Sequence, residues 1–162
     1  MTIAETLRTL PLFEGFGREG VEQLAARAHT RHFPNGATIV SQGDFDASMF
    51  VITSGKARVL LHAPGGTKEI AVLGKGDVAG EISLLTGVAR TATVVAVGAV
   101  SAIEIDKAAF SAVVAGRKAM IEHIASIVEQ RRAELDYVRH EAEQGEISGR
   151  EALLTRLTRL FG

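Results

Sequence analysis

The chain has 162 residues, 46% of them hydrophobic and 23% charged, enough for one domain with a proper core or one domain plus an appendage. Eighteen Lys and Arg against nineteen Asp and Glu leave a net charge of -1. That balance excludes a whole-surface electrostatic grip on nucleic acid or anionic lipid, though not a local basic site. With no cysteine there is no disulfide framework, thiolate nucleophile or Cys-based zinc site, and a reducing compartment is permitted. No apolar run approaches the roughly 18 residues of a membrane span, and residues 1–20 lack a signal-peptide layout, so a soluble chain is expected. Seventeen glycines suggest many tight turns, as in a barrel of short strands.

The first stretch mixes helix and turn. Leu7, Leu10, Leu12, Phe13 and Phe16 are apolar, and Pro11, Gly15 and Gly17 interrupt any long helix. Val21, Leu24, Ala25 and Ala28 then follow helical spacing, which predicts a short helix from Arg18 to Ala28. From Arg31 to Asp106 the texture changes to short β-rich runs: Thr38–Val40, Met49–Thr53, Ala57–Leu61, Glu69–Val72, Ala92–Val97 and Val100–Ile105. Turn signals separate them, among them Pro34-Asn35-Gly36, Gly43-Asp44, Ser54-Gly55, Pro64-Gly65-Gly66 and Gly98. This punctuation predicts a small antiparallel sandwich or jelly roll. One segment breaks the pattern: the residues from Gly80 to Gly87 predict a helix of one or two turns. After Asp106 the spacing is helical again. Met120, Ile121, Ile124, Ile127, Val128, Leu135 and Val138 mark a long amphipathic helix, and Leu153, Leu154, Leu157, Leu160 and Phe161 a second, shorter stripe. The fold class expected is therefore α+β.

The segment from Gly76 to Ala96 carries the chemistry. Gly80 lets a backbone approach a ligand closely, and a helix starting there offers the N–H groups of Glu81, Ile82 and Ser83 to an anion, above all phosphate. Arg90 opens a β-rich run and is the only cation between Lys75 and Lys107. A guanidinium beside a helix start makes a bidentate phosphate clamp. Glu81 is an odd companion for an anion unless it serves a neutral donor such as a sugar hydroxyl. Together the three features describe a pocket for a sugar-phosphate of one negative charge. Two of them also have a bland reading: Glu81 as a carboxylate suited to a helix start, Arg90 as a surface ion-pair partner of little worth.

The segment resembles the phosphate-binding cassette of the cyclic nucleotide-binding domain family. The match runs Gly80-Glu81-Ile82-Ser83-Leu84-Leu85, then, five residues after Leu84, Arg90-Thr91-Ala92-Thr93-Val94. A second family motif precedes it in Ile39-Val40, Gly43-Asp44, Met49-Phe50-Val51-Ile52 and Gly55. The resemblance covers roughly residues 7–135. It implies an antiparallel β-roll with N-terminal helices, a short cassette helix and long C-terminal helices. It also implies that the cassette helix and Arg90 hold the cyclic phosphate, with Glu81 on the ribose 2′-hydroxyl. Gly80, Glu81, Ile82, Ser83, Arg90, Thr91 and Ala92 are thus the expected ligand-binding residues. Three positions depart from the family. Ala89 replaces a usual proline, Ala79 a usual bulky residue, and Asp46 a usually small one; the expected effect is on affinity more than ligand class.

Residues 1–135 are read as the cyclic nucleotide-binding domain and 136–162 as an amphipathic helical tail. Only 27 residues follow Leu135, too few for a helix-turn-helix, and the span from Arg139 holds four Arg against four Glu. No nucleic-acid partner is expected. Glu129-Gln130-Arg131-Arg132-Ala133-Glu134-Leu135 and the end from Leu153 to Gly162 look most like the cytoplasmic C-terminus of bacterial cyclic nucleotide-regulated channels, the mechanosensitive-like group among them. That resemblance implies a membrane channel region upstream as partner and a cytoplasmic location for this domain in a parent protein of the plasma membrane; the Leu153–Phe161 stripe is read as a packing helix, on its own barrel or on a neighbouring subunit of a homo-oligomer. Arg131 falls on or beside the apolar face of the long helix, where a cation needs a partner, and the same resemblance suggests that it caps the purine by stacking. Its other reading is snorkelling to solvent or pairing with an acidic residue, and Arg132 is the substitute for the cap.

His29, His32, His62, His123 and His140 show no metal spacing, and no nucleophile elbow, HExxH motif or P-loop occurs. No metal, no cofactor and no enzymatic activity are expected. The function expected is sensing of cAMP or cGMP, reported by movement of the C-terminal helix to an attached module such as a channel. The alternatives are a degenerate β-roll serving as a scaffold or oligomerisation module, and a stand-alone cyclic nucleotide-binding signalling protein. Thr91, next to the cassette arginine, suggests that cGMP is tolerated beside cAMP.

Overall fold

The structure is a computed structural model and describes residues 2–87 and 89–130. Helix α1, Ile3–Arg8, opens with a capping box in which Thr2 and Glu5 satisfy one another's amides. A 3-10 turn over Pro11–Phe16 follows, then α2, Gly17–Arg27. The roll is built from β1 (His29–Phe33), β2 (Thr38–Val40), β3 (Met49–Ala63), β4 (Gly66–Leu73), β5 (Val78–Ala79) and β6 (Thr93–Ile105). Helix α3, Glu81–Thr86, interrupts the sheet between β5 and β6. Helices α4, Lys107–Val114, and α5, residues 118–130, close the described chain.

All pairings are antiparallel, in the order β1-β6-β3-β4, with β2 against β6 and β5 against β3. This is the expected α+β roll. Besides the short β5, which no predicted run covers, two details differ from the residue patterns. The runs Met49–Thr53 and Ala57–Leu61 form one long strand, as do Ala92–Val97 and Val100–Ile105 apart from Ala92. Gly55 (φ 87) and Gly98 (φ 71) do not end strands. Beside Gly55 the β3–β6 register shifts at Ile52/Ser54 and Ser54/Lys56, so the glycine is absorbed in an irregularity and the ladder continues. The second difference is β1, a strand with no apolar alternation to betray it. Its first four residues are exposed, and it is held on β6 by backbone pairing and by Arg31, 2.8 Å from Glu104 across the ladder.

The run Met49 to Ile52 is buried throughout because both faces of β3 are covered there. Phe50 and Ile52 point into the roll with Phe33, Val59 and Val94, while Met49 and Val51 meet Leu7, Phe13, Phe16, Leu24 and Phe110 of the helical layer. Phe33 and Phe50 pack edge to face at 5.8 Å. Leu84 of α3 belongs to the helical cluster, with Met120 of α5, and Leu85, Ile124 and Ile127 pack against its margin. The cassette helix and the C-terminal helix thus share one core. Among the described residues no helix is long and apolar enough to cross a membrane. The tail 136–162 lies outside the described residues.

Candidate functional site

The site begins at Gly80. It caps α3 in the left-handed conformation, φ 85, and Gly87 ends the helix in the same conformation, φ 73. Glycine alone adopts such angles freely, so the two residues bracket the helix as sequence spacing predicts. The first helical bond, Leu84 N–H to the Gly80 carbonyl, is 3.3 Å. The amides of Glu81, Ile82 and Ser83 precede it, in the first turn. Leu84 turns toward the helical core, while Glu81 and Ser83 line a cleft on the other side.

Arg90 reaches that cleft because its backbone is strapped to the turn before β3. Its N–H donates to the Asp44 carbonyl at 2.7 Å, and its own carbonyl accepts from Gly43 N–H at 2.9 Å. The two sequence motifs, forty-odd residues apart, meet here. The guanidinium then runs inward: Nη1 donates to the Gly80 carbonyl at 2.9 Å and Nη2 to the Ser48 carbonyl at 2.6 Å. Nε is buried and has no hydrogen-bond partner among the described residues. Asp46 stands at the outer side, with Oδ2 4.0 Å from Nη2.

Glu81, Ser83, Arg90 and Ser48 are the buried polar residues of the described chain. Glu81 is 0% exposed and Arg90 3%, which removes the reading of Arg90 as a surface ion-pair partner. Both side chains are part of the packed interior. Arg90 ties Gly80 and Ser48 together, and a buried cation of this kind is held only by its bonds. Burial pushes the Arg90 guanidinium below the ordinary arginine value, and the carboxylates of Asp46, Asp44, Glu81 and Glu104 pull it back up.

The cleft is lined by the apolar residues Val40, Val59, Leu73, Ala79 and Val94, and by Gly80, Glu81, Ser83, Arg90, Thr91 and Ala92. Apolar side chains together with amides, a carboxylate and a guanidinium suit a ligand with an apolar part and a polar, anionic one. Six of the seven residues singled out in the sequence line this cleft; Ile82 lies in the same helical turn. Arg131 lies outside the described residues. Ser48 was invisible to sequence reasoning, since its contribution is a main-chain carbonyl.

Elsewhere the histidines serve the sheet and its helices. His32 bonds Ser101, His62 bonds Thr67 and Thr93, and His123 bonds the Pro11 carbonyl. Among the described residues no three of His, Cys, Asp and Glu gather as a metal site.

The model of the family described as "Cyclic nucleotide-binding domain" matches residues 30–117. The cyclic AMP receptor protein of Thermus thermophilus is 30% identical over 127 residues, 78% of this chain and 59% of that protein. A cAMP-dependent protein kinase regulatory subunit of Mycosarcoma maydis is 33% identical over 93 residues, 57% of this chain and 18% of the relative. Among solved structures, the Thermus thermophilus catabolite activator protein superposes with a TM-score of 0.69 at 28% identity, covering 83% of this chain and 63% of that one. The chain thus spans less than two thirds of the length of these curated relatives.

Proposed function

The chain belongs to the cyclic nucleotide-binding domain family, and from that premise we propose that it senses cAMP, and accepts cGMP, in the cleft between α3 and the roll. One observation carries this reading. Arg90 is buried to 3% exposure, with a donor, Nε, that no described group satisfies, and it stands beside the left-handed start of α3. A cyclic phosphate would bond the guanidinium and the amides of Glu81, Ile82 and Ser83. Glu81 would accept from the ribose 2′-hydroxyl. The purine would lie along the apolar side chains of Val40, Val59, Leu73 and Val94, with Thr91 and Ala92 at its edge. Arg131 is proposed as the cap over the purine.

The signal would leave through the shared helical core. Leu84 and Leu85 of α3 and Met120, Ile124 and Ile127 of α5 belong to one packed cluster, so a ligand that draws α3 inward changes the surface on which α5 rests. Such a ligand biases an attached module only through its differential affinity for the two arrangements. The relatives support a regulatory rather than a catalytic role. A bacterial membrane channel is the attached module we favour, on the likeness of residues 129–135 and the leucine-arginine end; the domain would then face the cytoplasm, and channel subunits would assemble as homo-oligomers.

Titration calorimetry with cAMP and with cGMP tests the reading. Saturable binding of at least one is expected. No binding of either at millimolar concentration would falsify it.

A further inference from the structure

The cleft proposed to take an anion is poor in positive charge. Arg90 is its cation, and the carboxylates of Asp44, Asp46 and Glu81 all act on it. Of the three, Asp46 is the one whose carboxylate makes a recorded ion pair with Arg90. Its side chain is 69% exposed, and its ion-pair partner among the described residues is Arg90, at 4.0 Å. That separation is too long for a hydrogen bond, and an exposed pair at that range stabilises the fold little. Arg90 does not need Asp46 for support, since Gly80 and Ser48 already hold the guanidinium. What Asp46 does supply is a negative charge beside Arg90, the cation that lines the cleft among the described residues. The turn that carries it is fixed in place by the backbone bonds of Gly43 and Asp44 to Arg90.

Resting on the reading of the cleft as a cyclic nucleotide site, we infer that Asp46 is an affinity-setting residue: its carboxylate competes with the ligand's phosphate for Arg90. A bound phosphate must accept a like charge a few ångströms away or push it toward solvent, and either course weakens binding. The domain would thus respond to higher ligand concentrations than the same cleft without Asp46. The exposure of the carboxylate limits the effect, because water and salt screen it.

The test compares cAMP binding by the wild-type chain, Asp46→Asn and Asp46→Ala, at about 50 mM and about 1 M sodium chloride. At low salt both variants should bind about three- to fivefold tighter than wild type, the upper range of a screened charge contact. At 1 M salt, where the Debye length falls to about 3 Å, the gain should shrink to under about twofold. Equal affinities at low salt overturn the inference and leave the proposed function standing. A gain that persists unchanged at high salt also overturns it, since it would report shape and not charge. Binding by none of the three proteins overturns both, whereas binding by the variants alone supports both.

Discussion

The Gly80 carbonyl accepts a hydrogen bond from Arg90 Nη1 at 2.9 Å, and the same guanidinium fills the space that a Cβ on residue 80 would take. The Ser48 carbonyl lies 2.9 Å from that position as well. Glycine is therefore required at position 80 twice over, by its backbone angle of φ 85 and by the close approach of the arginine. A motif that reads in sequence as glycine, a short helix and a distant arginine is one interlocked object.

Gly80→Ala should accordingly damage both fold and site. A left-handed alanine costs about 1–2 kcal/mol, and displacing Arg90 or Ser48 adds to it, for a loss of about 2–3 kcal/mol in chemical denaturation. Binding of cAMP should fall by more than tenfold at a temperature where the variant remains folded. A variant with unaltered stability and affinity would show that the loop at Ser48 moves aside freely.

Glu81→Gln isolates the carboxylate while keeping its shape. A hydrogen bond to a charged acceptor contributes about 1.5–3 kcal/mol, so cAMP affinity should fall about 10- to 100-fold. The control is 2′-deoxy-cAMP, which lacks the hydroxyl that Glu81 is proposed to bind. Its affinity should be weak for wild type and nearly unchanged by the substitution. Equal losses for the two ligands would assign Glu81 to holding α3 in place.

Thr91→Ala probes the choice of base. Thr91 is half-buried and lines the cleft immediately after Arg90. A neutral hydroxyl contact is worth about 1 kcal/mol, so cGMP binding should weaken by up to tenfold while cAMP binding changes less. Competition of each nucleotide against a fluorescent analogue measures the ratio. Identical losses would make Thr91 a strand residue without a part in selection.

The alternation and punctuation of the chain by themselves determined most of the fold. Thr38–Val40 forms a strand with those limits, α2 begins and ends within one residue of the predicted helix, and α3 sits between Gly80 and Gly87. These features are local: burial face, helical period and left-handed caps each act over a few residues, so they can be read without knowing the neighbours. The strand β1 was not legible, since four of its five residues are exposed and only its pairing with β6 makes it a strand. Nor were the joins at Gly55 and Gly98, where cross-strand partners allow the chain to continue through a positive φ.

The residue types at the site were equally legible, because a carboxylate, a glycine at a helix start and a lone arginine declare their chemistry by type. Their environment was not. Only the tertiary structure brings Gly43 and Asp44 onto the backbone of Arg90, turns the Ser48 carbonyl toward its guanidinium and leaves Asp46 at its outer side. Burial is a collective property of all the elements around a side chain, and main-chain carbonyls carry no sequence identity. That is why Arg90 reads from sequence as either a clamp or a surface ion-pair partner, and in the fold is a buried cation held by two carbonyls.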